Sequence, residues 1–188
     1  PLALPGGRLS APLARRGIEL QLTPRPDTIF TYFNMEDPVV GGYEPAQVAL
    51  RRAIGLGYDN EEEIRVLRRQ LARPAQSIVP PLTYGYDAAL KTEMSEYAPS
   101  RAKALLDLYG FVDRNGDGWR ERPDGSALVL SFHTDKTLRA YNELWKRRMD
   151  ALGIRIQFIQ GEWSEQQKAA RAGQLMMWGL AWNAGNPD

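Results

Sequence analysis

The clearest hydrophobic pattern lies in the last third of the chain. Residues 127–133 (Ala-Leu-Val-Leu-Ser-Phe-His) form a mainly apolar run that predicts a strand. Residues 137–152 place Leu138, Tyr141, Leu144, Trp145, Met149 and Leu152 at helical spacing, and Gly153 stops the run. Residues 154–159 alternate as a second strand. Ser164 and Gln167 have the spacing of a capping box for a short helix ending at Gly173. Residues 175–181 are continuously apolar, as in a buried strand. Strand, helix, strand, helix, strand predicts crossover connections and a mixed, mainly parallel α/β sheet flanked by helices.

The first two thirds are less regular. Residues 1–17 are rich in Pro, Gly and Arg and predict irregular structure. Residues 18–22 (Ile-Glu-Leu-Gln-Leu) alternate as a half-buried strand does, and residues 28–34 form a β-branched and aromatic strand. Pro45 suits the first turn of a helix that continues to about Tyr58. Asp59 or Asn60 is placed to cap a second helix over 61–70, whose three leading glutamates favour the positive end of the helix dipole. Residues 72–97, with their prolines and tyrosines, predict a long surface excursion. Pro99 opens a further helix that Gly110 ends.

Composition narrows the chemistry. Lys+Arg 24 against Asp+Glu 23 gives a net charge of +1, without the basic footprint of a nucleic-acid binder. The absence of cysteine removes thiol nucleophiles, thiolate metal sites and disulfides. The single histidine, His133, removes multi-histidine metal sites, and no serine lies in a nucleophile elbow. Arg51-Arg52, Arg68-Arg69 and Lys146-Arg147-Arg148 read as solvated helix faces. No cofactor motif is present; Gly55 to Gly57 lacks the spacing of a phosphate loop.

Two segments carry candidate sites. Asp113, Asn115, Asp117, Gly118 and Asp124 have the spacing of a calcium loop, but Asp in place of the terminal Glu and a strand in place of a second helix favour a polar connection built from successive Asx turns, with no metal. At the end of the chain, Trp182 and Asn183 follow an apolar run and precede Gly185, Asn186, Pro187 and Asp188. An aromatic plane beside amide groups at a sheet margin suits a peptide, sugar or flat solute.

The order of several short motifs resembles the extracellular solute-binding proteins of family 5. These are the oligopeptide-, dipeptide- and nickel-binding components of ABC importers. The likeness rests on Tyr32-Phe33-Asn34 with Pro38, on residues 49–59, and on the Pro-rich stretch holding Pro74, Pro80, Pro81 and Gly85. It continues through residues 99–110, Asp117-Gly118, 145–154 and 182–188. The resemblance implies one lobe of a type II periplasmic binding protein fold, with residues 1–27 a hinge-proximal or first-lobe remnant and 28–188 the distal lobe. It implies capture of an extracytoplasmic peptide or other small solute by lobe closure. The partners would be a membrane permease and the first lobe of the same protein, in a periplasmic or extracytoplasmic setting, with a signal peptide on the parent. It implies no catalysis. The ligand-binding residues would be Trp182, Asn183 and Gly185, with Tyr32 and Asn34. An acid that some peptide binders of the family carry three positions after the tryptophan is Gly185 here, and an arginine three before it is Gly179. The departures favour a different small solute, or a peptide held another way. The alternatives from other classes are a carboxylate-based hydrolase domain and a calcium-stabilised interaction module.

Overall fold

The computed structural model describes residues 3–183. A short hairpin opens it, with β1 (Ala3–Leu4) antiparallel to β2 (Arg8–Leu9), followed by one turn of helix, α1 (Ala11–Ala14). The strand expected over 18–22 does not form. The alternation is present in sequence, but no described strand lies alongside to complete a ladder, and both sets of side chains face solvent.

The main sheet has four strands, β3 (Asp27–Phe33), β4 (Val129–Thr134), β5 (Arg155–Gln160) and β6 (Met177–Asn183). Their spatial order is β3-β6-β4-β5. β4 runs parallel to both β5 and β6, and β3 is antiparallel to β6. Five helices complete the fold, namely α2 (Pro45–Gly57), α3 (Asn60–Val66), α4 (Pro99–Leu108), α5 (Arg139–Leu152) and α6 (Trp163–Arg171). The fold is thus the mixed, mainly parallel α/β arrangement that the hydrophobic pattern predicts.

One core binds these layers. Leu50, Ala53 and Ile54 of α2, Ala102 and Leu106 of α4, and Met149 and Leu152 of α5 pack with Leu130, Phe132, Ile156 and Met177 of the sheet. Trp145 stacks on Tyr58, with centroids 4.1 Å apart and planes 25° from parallel. Helix ends follow local chemistry with one exception. Asp59 caps α3, its carboxylate accepting from the Glu62 N–H at 2.8 Å. The expected capping box at Ser164 and Gln167 is absent, because the N-cap of α6 falls two residues earlier, at Glu162. Its neighbour Gln166 is instead buried, donating to the Thr134 carbonyl at 2.7 Å and hanging α6 from the end of β4. α3 ends at Val66, short of residue 70, where Arg69 and Gln70 turn into the left-handed region.

The excursion over 72–97 is irregular apart from one 3-10 turn at Glu93–Ser95. Ion pairs hold it to the helices. Arg52 of α2 grips both oxygens of Glu93, at 2.9 and 3.0 Å, and Arg101 of α4 meets Glu96 at 2.7 Å.

Candidate functional site

The geometry of interest arises where β6 outruns β4. β4 pairs with β6 only at Phe132 with Met177 and His133 with Trp178. Beyond Trp178, β6 continues for five residues with β3 as its sole described strand neighbour. The result is a two-stranded ribbon, roughly 17 Å long at about 3.4 Å per residue, projecting from the sheet. An isolated ribbon of this kind is marginal in water.

Its backbone has a defined polarity. The Asn34 N–H donates to the Met176 carbonyl at 2.9 Å, which makes 34 and 176 a hydrogen-bonded pair. Bonded pairs recur every second residue in an antiparallel ladder. Tyr32 with Trp178, Phe30 with Leu180 and Thr28 with Trp182 are therefore bonded, by the register of the two strands. On the intervening Gly179, Ala181 and Asn183 the N–H and C=O point away from β3. From the Gly179 carbonyl onward no described strand runs along that side. This edge is also sterically bare: Gly179 and Ala181 are exposed, and a Cβ added at Gly179 would meet no atom within 4 Å.

Trp182 is 59% exposed, whereas Trp178, four residues earlier on the same face, is 5% exposed. Trp178 lies edge-on to Tyr32 at 6.4 Å, and burial raises the Tyr32 phenol above its ordinary pKa. Consecutive strand residues point to opposite faces, so the Trp182 indole and the Asn183 amide do not share one. Nor does the fold bring Tyr32 or Asn34 to Trp182. Tyr32 is paired with Trp178, about 14 Å along the ribbon. The Asn34 side chain is engaged locally, donating to the Gly173 carbonyl at 2.8 Å and accepting from the Glu36 N–H at 3.0 Å. That closes the turn after β3 against the turn before β6. Gly185, Asn186 and Asp188 lie outside the described residues.

The sequence motifs gave no sign that Gly179 and Ala181 expose backbone groups. The signal that could have found them is the pair of small residues inside an otherwise bulky aromatic strand, where close backbone approach is the usual reason.

The loop after α4 is built by its own acids. Asp113 accepts from the N–H groups of Gly116 and Gly118, at 2.7 and 2.8 Å. Asn115 accepts from Asp117 N–H, and Asp117 from Trp119 N–H, both at 2.9 Å. The Trp119 N–H holds the Asp117 carboxyl below the usual range, with Arg155 assisting at 2.7 Å. The three acids whose oxygens lie within 4.8 Å of one another are Asp113, Asp117 and Glu121; Asp124 instead accepts from Ser126. A cleft of about 380 Å³ borders this loop, lined by Lys103, Asp107, Arg120 and Asp150 among others, and no ribbon residue lines it.

Arg148 corrects the reading of 146–148 as a solvated face. Its side chain is 19% exposed and its guanidinium reaches Asp59 at 2.9 Å, with Glu62 and the Tyr97 hydroxyl as further partners. Among the described residues no helix is long and apolar enough to cross a membrane.

Comparison with known proteins places this geometry in context. The family model for bacterial extracellular solute-binding proteins, family 5 Middle, matches residues 4–188. Di/tripeptide-binding protein 2 of Pseudomonas aeruginosa (strain UCBPP-PA14) is 26% identical over 195 residues, taking in 94% of this chain and 35% of that protein. The oligopeptide-binding protein AppA from Bacillus subtilis, solved in complex with a nonapeptide, aligns with a TM-score of 0.76 at 19% identity. The alignment covers 87% of this chain and 32% of that one. NikA from Brucella suis, solved in complex with Fe(III)-EDTA, aligns with a TM-score of 0.76 at 20% identity, covering 94% of this chain and 35% of that one. These structural likenesses concern the fold. The chain spans about a third of the length of the relatives it matches.

Proposed function

We infer that this chain, which belongs to the bacterial extracellular solute-binding proteins of family 5, supplies one wall of the solute cleft in the binding component of an ABC importer. Residues 28–188 form the distal lobe and residues 1–27 the approach to a hinge. A first lobe on the same polypeptide provides the opposite wall. Two lobes closing on a solute sequester it without making or breaking a bond, and the closed form then docks on a membrane permease. The working compartment is periplasmic or extracytoplasmic, reached by a signal peptide on the parent.

The observation that carries this reading is the open edge of β6. Unpaired backbone groups on Gly179, Ala181 and Asn183, flanked by small side chains, accept an extended peptide as an added strand. Other small solutes bearing amides or hydroxyls meet the same donors and acceptors. Backbone recognition needs no charged anchor, which accommodates the glycines at 179 and 185. The ribbon's exposed indole at Trp182 adds an apolar plane for a ligand side chain on one face, and Asn183 adds a hydrogen-bonding amide on the other.

The test uses the polypeptide carrying both lobes. Native mass spectrometry of the protein purified from its host, followed by calorimetric titration with di- to pentapeptides, is expected to show a retained solute of peptide or amide character and saturable peptide binding. Absence of any retained solute together with no heat from any peptide would sink the proposal.

A further inference from the structure

We propose that Asn115 is a guarded modification site, an asparagine–glycine pair whose conversion to aspartate and isoaspartate is held back by the carboxylate of Asp113. The proposal is independent of the solute-binding role inferred for β6.

The chemistry is set by the dipeptide and by its exposure. Asn115-Gly116 is the single Asn-Gly pair of the sequence. Both residues are exposed, and a Cβ added at Gly116 would meet no atom within 4 Å. Hydroxide can therefore reach the Gly116 N–H, and the absence of a side chain leaves that nitrogen free to approach its neighbour closely. Once deprotonated, the nitrogen attacks Asn115 Cγ. The new N–Cγ bond closes a cyclic imide and the Cγ–Nδ2 bond breaks. The departing nitrogen takes a proton from water and leaves as ammonia, which regenerates the hydroxide. Water then opens the imide at one carbonyl to give aspartate, or at the other to give isoaspartate, whose main chain is longer by a carbon.

The folded loop engages both reacting groups. The Gly116 N–H donates to Asp113 Oδ1 at 2.7 Å, and Asn115 Oδ1 accepts from the Asp117 N–H at 2.9 Å. The acid that holds the nucleophile is itself fixed, since Asp113 Oδ2 accepts from the Gly118 N–H at 2.8 Å. Asp117 is anchored by the Trp119 N–H at 2.9 Å and by Arg155 at 2.7 Å. Ring closure must release the nitrogen from Asp113 and turn the carboxamide away from Asp117. Charge acts in the same direction. Carboxylate oxygens of Asp113, Asp117 and Glu121 lie within 4.8 Å of one another, and their field opposes both the approach of hydroxide and the amide anion it forms. Two hydrogen bonds, one of them to a carboxylate, slow the step about tenfold to hundredfold relative to a free chain.

The test holds three samples at pH 7 and at pH 8 and follows Asn115 by peptide-mapping mass spectrometry. They are the polypeptide carrying both lobes, its Asp113→Ala variant and a synthetic peptide of residues 110–121. Asn115 in the parent protein should convert about tenfold to hundredfold more slowly than in the peptide. Asp113→Ala should convert about tenfold faster than the parent, and Asp113→Asn, which keeps an acceptor oxygen but no charge, should fall between them. All rates should rise about tenfold over the pH unit, because hydroxide is the base. Conversion in the parent as fast as in the peptide overturns the proposal. So does a parent rate that is level with pH, since Asp113 would then be drawing off the proton and promoting the reaction. Equal rates in the parent and Asp113→Ala overturn it as well. Asn142, buried on α5, serves as the internal control. A rise at Asn115 with Asn142 unconverted and the melting curve unmoved shows release of the loop alone. Where Asp113→Ala melts far below the parent, Asp113→Asn decides, and a rate no higher than the parent's overturns the proposal.

Discussion

Arg148 of α5 donates to Asp59 at 2.9 Å, and the same carboxylate caps α3 through its other oxygen. One acid thereby fixes both the start of a helix and its docking on a neighbour. Glu62, in the first turn of α3, takes the same guanidinium, and the Tyr97 hydroxyl accepts at 2.5 Å. The three charged side chains are all less than a fifth exposed. Arg148→Met should destabilise the fold by about 2–4 kcal/mol, because the nearly buried Asp59 loses its counter-charge and Glu62 is left with Arg147 alone, at 3.0 Å. Urea denaturation measures this. Adding Asp59→Asn, which keeps a capping oxygen, to Arg148→Met should recover part of the loss, and a double variant no better than the single one would refute the account.

His133 gives a pH-dependent contribution of defined sign. It lies on β4 opposite Trp178 and Ile159, and burial lowers its pKa below the ordinary imidazole value. The folded protein therefore takes up a proton less readily than the unfolded chain. Above the unfolded pKa of about 6.5 both states are neutral and the full stability is present. As pH falls below that value and through the lower folded pKa, stability is lost. Melting temperatures of the parent should decline from pH 7.5 to pH 5 more steeply than those of His133→Gln. Parallel curves for the two would exclude the histidine as the source. Glu93, Asp117, Asp124 and Asp135, whose pKa values are also lowered, act at more acidic pH and are common to both proteins.

Much of the fold was legible in the chain because its signals are local. Pro45 and Pro99 start helices and Gly153 ends one; the apolar spacing over 137–152 and the runs at 28–34 and 154–159 resolve into helix and strands as expected. What failed was decided by partners distant in sequence. Residues 18–22 alternate correctly but have no neighbouring strand among the described residues to pair with. Ser164 and Gln167 have the right spacing, yet Gln166 is drawn to the Thr134 carbonyl and the N-cap falls two residues earlier, at Glu162. Arg148 sits in a run of three cations, and only the docking of α3 on α5 shows that it is covered. The bare edge depends on β4 stopping while β3 and β6 continue, a consequence of register between segments about 150 residues apart that no local pattern encodes.

Gly153 closes α5 with φ of +75°, the left-handed conformation in which a Cβ is strained. A Cβ there would also stand 3.3 Å from the Gly118 carbonyl. The Gly153 carbonyl accepts from the Arg120 N–H at 2.8 Å, so this turn seats the acidic loop against the helix. Gly153→Ala should cost about 1–2 kcal/mol in chemical denaturation. Asn, which tolerates the left-handed region, should cost less than Ala. Equal losses for the two would remove backbone conformation as the cause.

Ala181 separates backbone recognition from structure. Its N–H points away from β3, so a proline at 181 removes a donor that the β3–β6 ladder does not use. The fixed proline φ near −65° is the remaining cost to the fold, and proline is tolerated where a strand's N–H faces outward. Ala181→Pro should therefore melt within a few degrees of the parent while peptide affinity falls about tenfold, the net value of one lost hydrogen bond together with the crowding of the ring. Ala181→Ser keeps the donor and should bind within about threefold of the parent. The complementary change is made on the ligand. Methylating peptide amides one at a time should weaken binding at alternate positions only, since every second residue of an added strand faces β6. A uniform effect of methylation along the peptide, or unaltered binding by Ala181→Pro, would show that the solute is held by side chains or by the other lobe and not by the edge of β6.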